Sequence, residues 1–193
     1  MSQPIIFLQT KRLRLRQFTL SDVEHIVALD SDPEVMRYIS YGAPTPRDVI
    51  EKRVLASWLK YYENAAHIGF WAAEATATSE FIGWFHLRPD RFAPDEQELG
   101  YRLRRDCWGQ GFATEGSLAL LADGFGVAKF DQISARTLLG NVGSQRVMQK
   151  CGLTLAGYFV YPEHILQGGT EESRRAVKYS ATREQWLRQH GSI

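Results

Sequence analysis

The sequence predicts one α/β domain, a mixed β-sheet of about seven strands with helices on both faces. Segments of period two alternate with capped segments of helical period, in the order β-α-α-β-β-β-α-β-α-β-β. A chain of 193 residues, 44% of them hydrophobic, suits a single substantial core, so residues 1–193 read as one domain. Neither an internal repeat nor a low-complexity tract divides them.

Each element has a local reason. Leu13, Leu15 and Phe18 nearly alternate with Arg12, Arg14 and Arg16, which predicts an early strand with one wet face. Ser21-Asp22-Val23-Glu24 reads as a capping box opening a helix to about Asp30. Asp32-Pro33 starts a short helical turn, with proline at the first helical position. Thr45-Pro46-Arg47-Asp48 repeats that device before a helix to roughly Tyr62, after a Gly/Pro-punctuated loop over residues 38–44. Strands are expected at 67–75 and 81–87, joined by a polar turn. Their aromatics (Phe70, Trp71, Phe81, Trp84 and Phe85) suit a two-sided β core better than a dedicated binding box. A loop over 89–96 leads into a central strand, 98–103, and then a glycine turn. The helix after it begins at Gly111 or Phe112 and ends at Gly124 or Gly126, with Phe112, Leu118, Leu121 and Phe125 near one face. A strand over 132–139 precedes a helix capped at Asn141 and stopped by Gly152. Strands at 154–161 and 175–180 flank a loop through Glu172, and Thr182 with Gln185 caps the last helix.

Composition excludes several roles. A net charge of +1 projects no long-range field toward nucleic acid or membrane. No apolar run approaches a membrane span, and Met-Ser-Gln-Pro is no secretory signal, so a cytoplasmic setting is expected. Cys107 and Cys151 lack metal spacing and read as reduced thiols. His25, His67, His86, His164 and His190 show no metal-like spacing either, and no metal is expected.

The chemistry concentrates after the central strand. Gly109 and Gly111 let backbone approach a ligand without a Cβ, and the following helix aims its free N–H groups at the same spot. Strand, glycine turn and helix N-terminus make an anion site suited to phosphate. A Walker loop would need Lys-Ser/Thr where Phe112 and Ala113 stand. A dinucleotide site would need a third glycine at Thr114 and an apolar strand in place of one carrying Arg102, Arg104 and Arg105.

The run Gly100-Tyr101 followed by Trp108-Gly109-Gln110-Gly111-Phe112-Ala113-Thr114-Glu115 resembles the acetyl-CoA loop of the GNAT acyltransferases, closest to their RimJ/RimL-like branch. Asp106 stands where the wider superfamily often has Gln or Arg. The stretch from Asn141 to Leu153, with Ser144 and Lys150-Cys151-Gly152, resembles the same superfamily's Asn-x-x-Ser helix, in the right order. The resemblance implies a mostly antiparallel sheet whose central strands splay at the cofactor. It implies acetyl-CoA as acyl donor, its pyrophosphate on the N–H groups of Trp108 to Thr114 and its arm along the backbone of Tyr101, Leu103 and Arg104. A backbone N–H between Tyr101 and Leu103 would polarise the thioester carbonyl. Asn141 would bond the arm, and Ser144 would serve the leaving thiolate.

An attacking amine must be neutral, and Glu98 is the base candidate, acting through water; Glu96 ranks below it. Arg146 and Lys150 read as solvated helix charges. Arg104 and Arg105 would lower the Cys107 thiol pKa, yet no histidine stands nearby as its base, so Cys107 reads as a small buried thiol. The leading expectation is an N-acetyltransferase acting on a primary amine, a protein N-terminus or a small molecule, by direct attack in a ternary complex. The alternatives are a non-catalytic acetyl-CoA sensor and, less well supported, a NAD-binding oxidoreductase. Residues 31–45 and 162–172 would frame the acceptor, Tyr38, Trp71 and Trp84 read as core before pocket, and a homodimer through the C-terminal strands stays open.

Overall fold

The computed structural model describes residues 4–64 and 66–191. Met1, Ser2 and Gln3, which open the stretch read above as no secretory signal, lie outside them, as do Ala65, Ser192 and Ile193. Among the described residues the strands are β1 (Ile6–Gln9), β2 (Leu13–Gln17), β3 (Gly69–Ala75), β4 (Phe81–Pro89), β5 (Gln97–Leu103), β6 (Gln132–Leu138), β7 (Thr154–Val160) and β8 (Arg175–Thr182). They form one sheet of eight strands in the order β1-β2-β3-β4-β5-β6-β8-β7. All neighbours run antiparallel except β5 and β6. The sheet is therefore mixed and mostly antiparallel, as expected, with β1 added at one edge. That strand is short and its apolar run does not alternate, so the sequence left it unmarked.

Two apolar cores flank the sheet. On one face lie α1 (Val23–Asp30), α2 (Pro33–Met36) and a helical run made of α3 (Arg47–Val49), a π turn (Ile50–Leu55), α4 (Ala56–Leu59) and α5 (Tyr61–Asn64). Their Ile26, Leu29, Ile50, Leu55 and Trp58 pack on Phe70 and Trp84. On the other face lie α6 (Phe112–Ala122), α7 (Val142–Lys150) and α8 (Arg183–His190), packed on Phe85, Leu99 and Ile133.

Several local expectations give way to tertiary contacts. The cap before α1 is Thr19, whose N–H donates to Asp22 at 2.8 Å, two residues earlier than Ser21. Thr45 caps nothing; its hydroxyl donates to Asp30 at 2.6 Å. The helix after the glycine turn runs past Gly124 as a π segment to Val127. The expected wet face of β2 is not wet at Arg16, which is buried under α1 with its charge met by Asp22 at 2.8 Å and by Glu74 at 2.5 Å. By contrast, Thr182 and Gln185 form the expected capping box on α8.

The position of α6 rests on a missing side chain. A Cβ on Gly116 would lie 2.3 Å from Cζ of Phe85, a fully buried ring on β4. Alanine in a helix interior gains about 1 kcal/mol over glycine, whereas overpacking a tight core costs about 1–3 kcal/mol. The Phe85 ring is fully buried and three of its carbons would lie within 2.8 Å of the new Cβ, so the clash is expected to win. Gly116→Ala is expected to lower stability in urea denaturation; a variant more stable than the parent would show that α6 is not seated by this contact.

Candidate functional site

The strands β5 and β6 part company almost at once. They pair at Gln97↔Ile133 and Glu98↔Ser134 and no further, while β6 pairs with β8 along its whole length. Below the fork the strands are pinned by Asp90, a buried carboxylate in the β4–β5 loop. It accepts the Ser134 hydroxyl at 2.8 Å, the Arg136 guanidinium, and the N–H groups of Phe92 at 2.7 Å and Ala93 at 3.1 Å. Burial lowers the Arg136 pKa from its ordinary value.

Alternation decides which groups of β5 face the gap. Arg104 N–H donates to Ile82 O on β4 at 2.9 Å. By the two-residue period, Arg102 and Gly100 also turn their backbone groups to β4, and Tyr101 and Leu103 turn theirs toward β6. The Leu103 carbonyl is taken by the Trp108 indole N–H at 2.9 Å. That leaves the N–H groups of Tyr101 and Leu103 at the open edge. Arg104, expected among the groups facing a ligand, does not face it: its side chain is held by Asp106 and by Phe81 O at 3.1 Å.

The gap runs into the glycine loop. Gly109 and Gly111 have φ of 72° and 84°, and a Cβ on Gly109 would meet nothing within 4 Å. The first bond of α6 is Glu115 N–H to Gly111 O at 3.0 Å, so the N–H groups of Phe112, Ala113 and Thr114 stand outside the helix ladder. Trp108 departs from expectation, because its N–H is taken by Arg105 O at 3.1 Å. The cradle thus opens at Gly109, with Gln110 and Gly111 following. Its outer wall is Arg12, which donates to Gln110 O at 2.8 Å and to Glu115 at 2.6 Å while its guanidinium lies 4.6 Å from the Phe112 ring centroid. Burial pushes Glu115 up, but bonds from Thr10 and Arg12 outweigh it and hold the carboxyl below its usual range.

The candidate catalytic side chains lie on opposite faces of β5. Glu98, with 13% of its side chain exposed, pairs with Arg88 across the β4–β5 ladder on the α1 face. Burial raises its pKa above the ordinary glutamate value, and the Arg88 and Arg91 charges offset that only in part. Tyr101 points to the α7 face, where its hydroxyl donates to Ser144 Oγ at 3.3 Å. Asn141 caps α7 by accepting the Ser144 N–H at 3.2 Å, so the Ser144 hydroxyl is not the cap. Burial pushes the Tyr101 phenol up to about 12, with the Ser144 bond a smaller opposing effect.

Sequence reasoning missed three participants. Arg12 sits 103 residues from Glu115, so nothing local ties it to the loop. Asp30, 4% exposed, bridges the Arg102 guanidinium and Thr45, closing the 31–45 loop onto β5. His86 lies over Gly100, where a Cβ would be 2.6 Å from its Nε2, and neither ring nitrogen has a partner among the described residues. Burial, then the Arg88 and Arg102 charges, hold its pKa well below the usual histidine range.

The two loops expected to frame an acceptor converge: Ser173 Oγ donates to the Tyr41 hydroxyl at 3.0 Å, and Leu166 is buried in a cluster that Tyr38 packs against. A cavity of about 530 Å³ lies here, lined by Tyr38, Tyr41, Leu138, Gly140 and Glu172. A larger one of about 840 Å³ is lined by His25, Leu29, Phe81 and Arg104 and contains none of Glu98, Tyr101 or Ser144. Trp71 and Trp84 are buried in the two cores.

A profile described as "Acetyltransferase (GNAT) domain" matches residues 12–154. The chain belongs to the GNAT acetyltransferase family. An Aspergillus fumigatus protein named FsC-acetyl coenzyme A-N(2)-transacetylase is 34% identical over 188 residues, covering 94% of this chain and 78% of its own. The Vibrio cholerae spermidine N-acetyltransferase, solved with CoA and spermine, superposes with a TM-score of 0.72 at 17% identity over 92% of this chain and 99% of its own. RimL, a ribosomal L7/L12 alpha-N-protein acetyltransferase solved with coenzyme A, gives 0.75 at 15% over 92% and 97%. At such identities the structural likeness is one of fold.

Within this GNAT domain Cys107 is no nucleophile in waiting. Burial and the neighbouring Asp106 push its thiol up to about 11, against the charge of Arg104, which reverses the lowering expected from sequence. Iodoacetamide at neutral pH is expected to label Cys107 no faster than an ordinary free cysteine, and Cys107→Ala to keep full activity. Rapid labelling, or loss of turnover in the variant, would restore a covalent role.

Proposed function

We propose that this protein is an acetyl-CoA-dependent N-acetyltransferase of the RimJ/RimL-like kind, moving the acetyl group to a primary amine by direct attack. The observation that carries the reading is the fork itself, with an amide edge between a raised-pKa carboxylate and a tyrosine–serine pair. The pyrophosphate of acetyl-CoA suits the N–H groups from Gly109 to Thr114. The pantetheine amides suit the open edge at Tyr101 and Leu103, with Asn141 across the gap. The Leu99 N–H has the same parity but lies at the last bridge to β6; the Tyr101 N–H is the next one along β5, and it is the donor we assign to the thioester carbonyl.

The amine approaches from the Glu98 face, over the converging loops, and gives up its proton to Glu98 directly or through one water. The C–N bond forms, the C–S bond breaks, and the sulfur leaves as a thiolate toward Ser144. Asn141-x-x-Ser144 and the Trp108–Glu115 loop support the branch. The FsC relative's name makes an N(2) amine the first acceptor to assay, beside peptide N-termini.

Acetyl-CoA and CoA, each at about 100 times its dissociation constant, should stabilise the fold by about 2.7 kcal/mol. Gly111→Glu, which places a carboxylate in the anion cradle, should abolish that shift. Stabilisation by NAD and not by CoA would overturn the reading.

Glu98 sets a second expectation. A base works deprotonated, so kcat/KM should rise with pH through an inflection above the ordinary glutamate range, because burial raises this carboxyl. Glu98→Gln should remove that limb and lower kcat/KM by about 100-fold or more. An unchanged profile would clear Glu98 of the role, and tight CoA binding with no turnover on any amine would favour a sensor.

A further inference from the structure

The Tyr101 side chain stands in a place that its backbone does not explain. Its N–H faces the open edge of β5 while its phenol reaches the first turn of α7 and donates to Ser144 Oγ at 3.3 Å. A serine hydroxyl has one proton and two lone pairs. In a helix that proton commonly turns back to a carbonyl one turn earlier. Among the described residues the Ser144 hydroxyl makes no such bond to Gly140 O or Asn141 O; its oxygen accepts from Tyr101, and the Ser144 N–H is capped by the Asn141 side chain. A phenol donating into one lone pair leaves the Ser144 proton to point elsewhere.

We propose that Tyr101 is a positioning residue: its phenol fixes the Ser144 hydroxyl as a donor aimed into the fork, at the sulfur of the leaving thiolate. The inference rests on the reading of Ser144 given above. No proton leaves Tyr101. The Ser144 O–H stabilises the thiolate by a hydrogen bond as the C–S bond breaks, and the thiolate takes its proton from solvent on release. One residue then serves both ends of the breaking thioester, its N–H at the carbonyl oxygen and its O–H, through Ser144, at the sulfur. Burial keeps the phenol protonated across the working range, so the donor is never lost to titration. The source is β5, 43 residues from Ser144, which is why no scan of the helix itself would find it.

Tyr101→Phe keeps the ring that packs on Phe85, 5.8 Å between centroids, and deletes only the donor. A net hydrogen bond of ordinary strength corresponds to about tenfold in rate. Tyr101→Phe should lower kcat about tenfold with KM for acetyl-CoA within twofold. Added to Ser144→Ala it should cost almost nothing more, because both act through one oxygen. Binding supplies a readout free of turnover: Tyr101→Phe should weaken CoA severalfold while leaving desulfo-CoA, which lacks the sulfur, unchanged. If Ser144→Ala lowers kcat and Tyr101→Phe does not, or if the two losses multiply, the inference fails and the reading of Ser144 stands. If Ser144→Ala changes neither kcat nor the CoA preference, the reading of Ser144 fails, and the role of Tyr101 with it. Equal weakening of CoA and desulfo-CoA by Tyr101→Phe would reduce Tyr101 to packing.

Discussion

Everything in this site depends on the parting of β5 and β6. A sheet normally satisfies each strand's backbone on both sides, and an exposed edge in its middle is a liability. Here β6 is fully engaged by β8, and β5 by β4, so each can leave the other without unravelling. The Asp90 cluster holds the strands together at one end, and the departure begins after Glu98 and Ser134. The open edge thus leaves the Tyr101 and Leu103 N–H groups facing the gap, where the proposed pantetheine arm would pair. The N-terminus of α6 stands at its far end because Gly116 lets that helix sit down on Phe85.

What the sequence revealed is what short-range chemistry writes. The glycine turn, the Asn141 cap and the Thr182–Gln185 box hold because their reasons lie within a few residues. The failures occur where local signals compete. Thr19-Leu20-Ser21-Asp22 and Ser21-Asp22-Val23-Glu24 are overlapping cap patterns of nearly equal merit. The choice falls to Asp22, which burial would push up but which the Arg16 and Thr19 bonds hold below its usual range. Thr45 is lost as a cap for the same kind of reason, since Asp30 competes for its hydroxyl. The direction expected for the Cys107 thiol pKa is reversed because the Arg104 and Arg105 charges are visible in sequence and desolvation is not. The clamp of Arg12 on Glu115 spans 103 residues, and no periodicity encodes it.

Buried charge organises the acceptor side. Arg102 lies on β5, stacked on Trp84 with 5.1 Å to the ring centroid, and its partner Asp30 ends α1. Because Asp30 also takes the Thr45 hydroxyl, both ends of the 31–45 loop are tied to one carboxylate. An apolar pair would fill that volume equally well, and replacing a buried ion pair by one is often neutral or stabilising. What the ion pair adds is direction: a loop that carries Tyr38 and Tyr41 is held in register with the strand whose amide edge it overlooks. Loop variation can then change the acceptor without disturbing the slot.

The strand's pleat separates the two proton tasks. Glu98 and Tyr101 are an odd number of residues apart, so one projects to each face of β5. On one face the Glu98 carboxyl is buried, raised in pKa by desolvation and paired with Arg88; on the other stand a phenol and a hydroxyl in series. On the proposed mechanism a carboxylate beside the departing sulfur would repel the thiolate, while on the other face Arg88 and Arg91 keep the raised Glu98 carboxyl from rising further. Under the proposed mechanism the carboxylate stands on the face where the amine would arrive and the neutral donors on the face where the thiolate would leave. The pleat that turns the Tyr101 N–H toward the gap is therefore the same pleat that sets Glu98 and the Tyr101 phenol on opposite faces of the sheet.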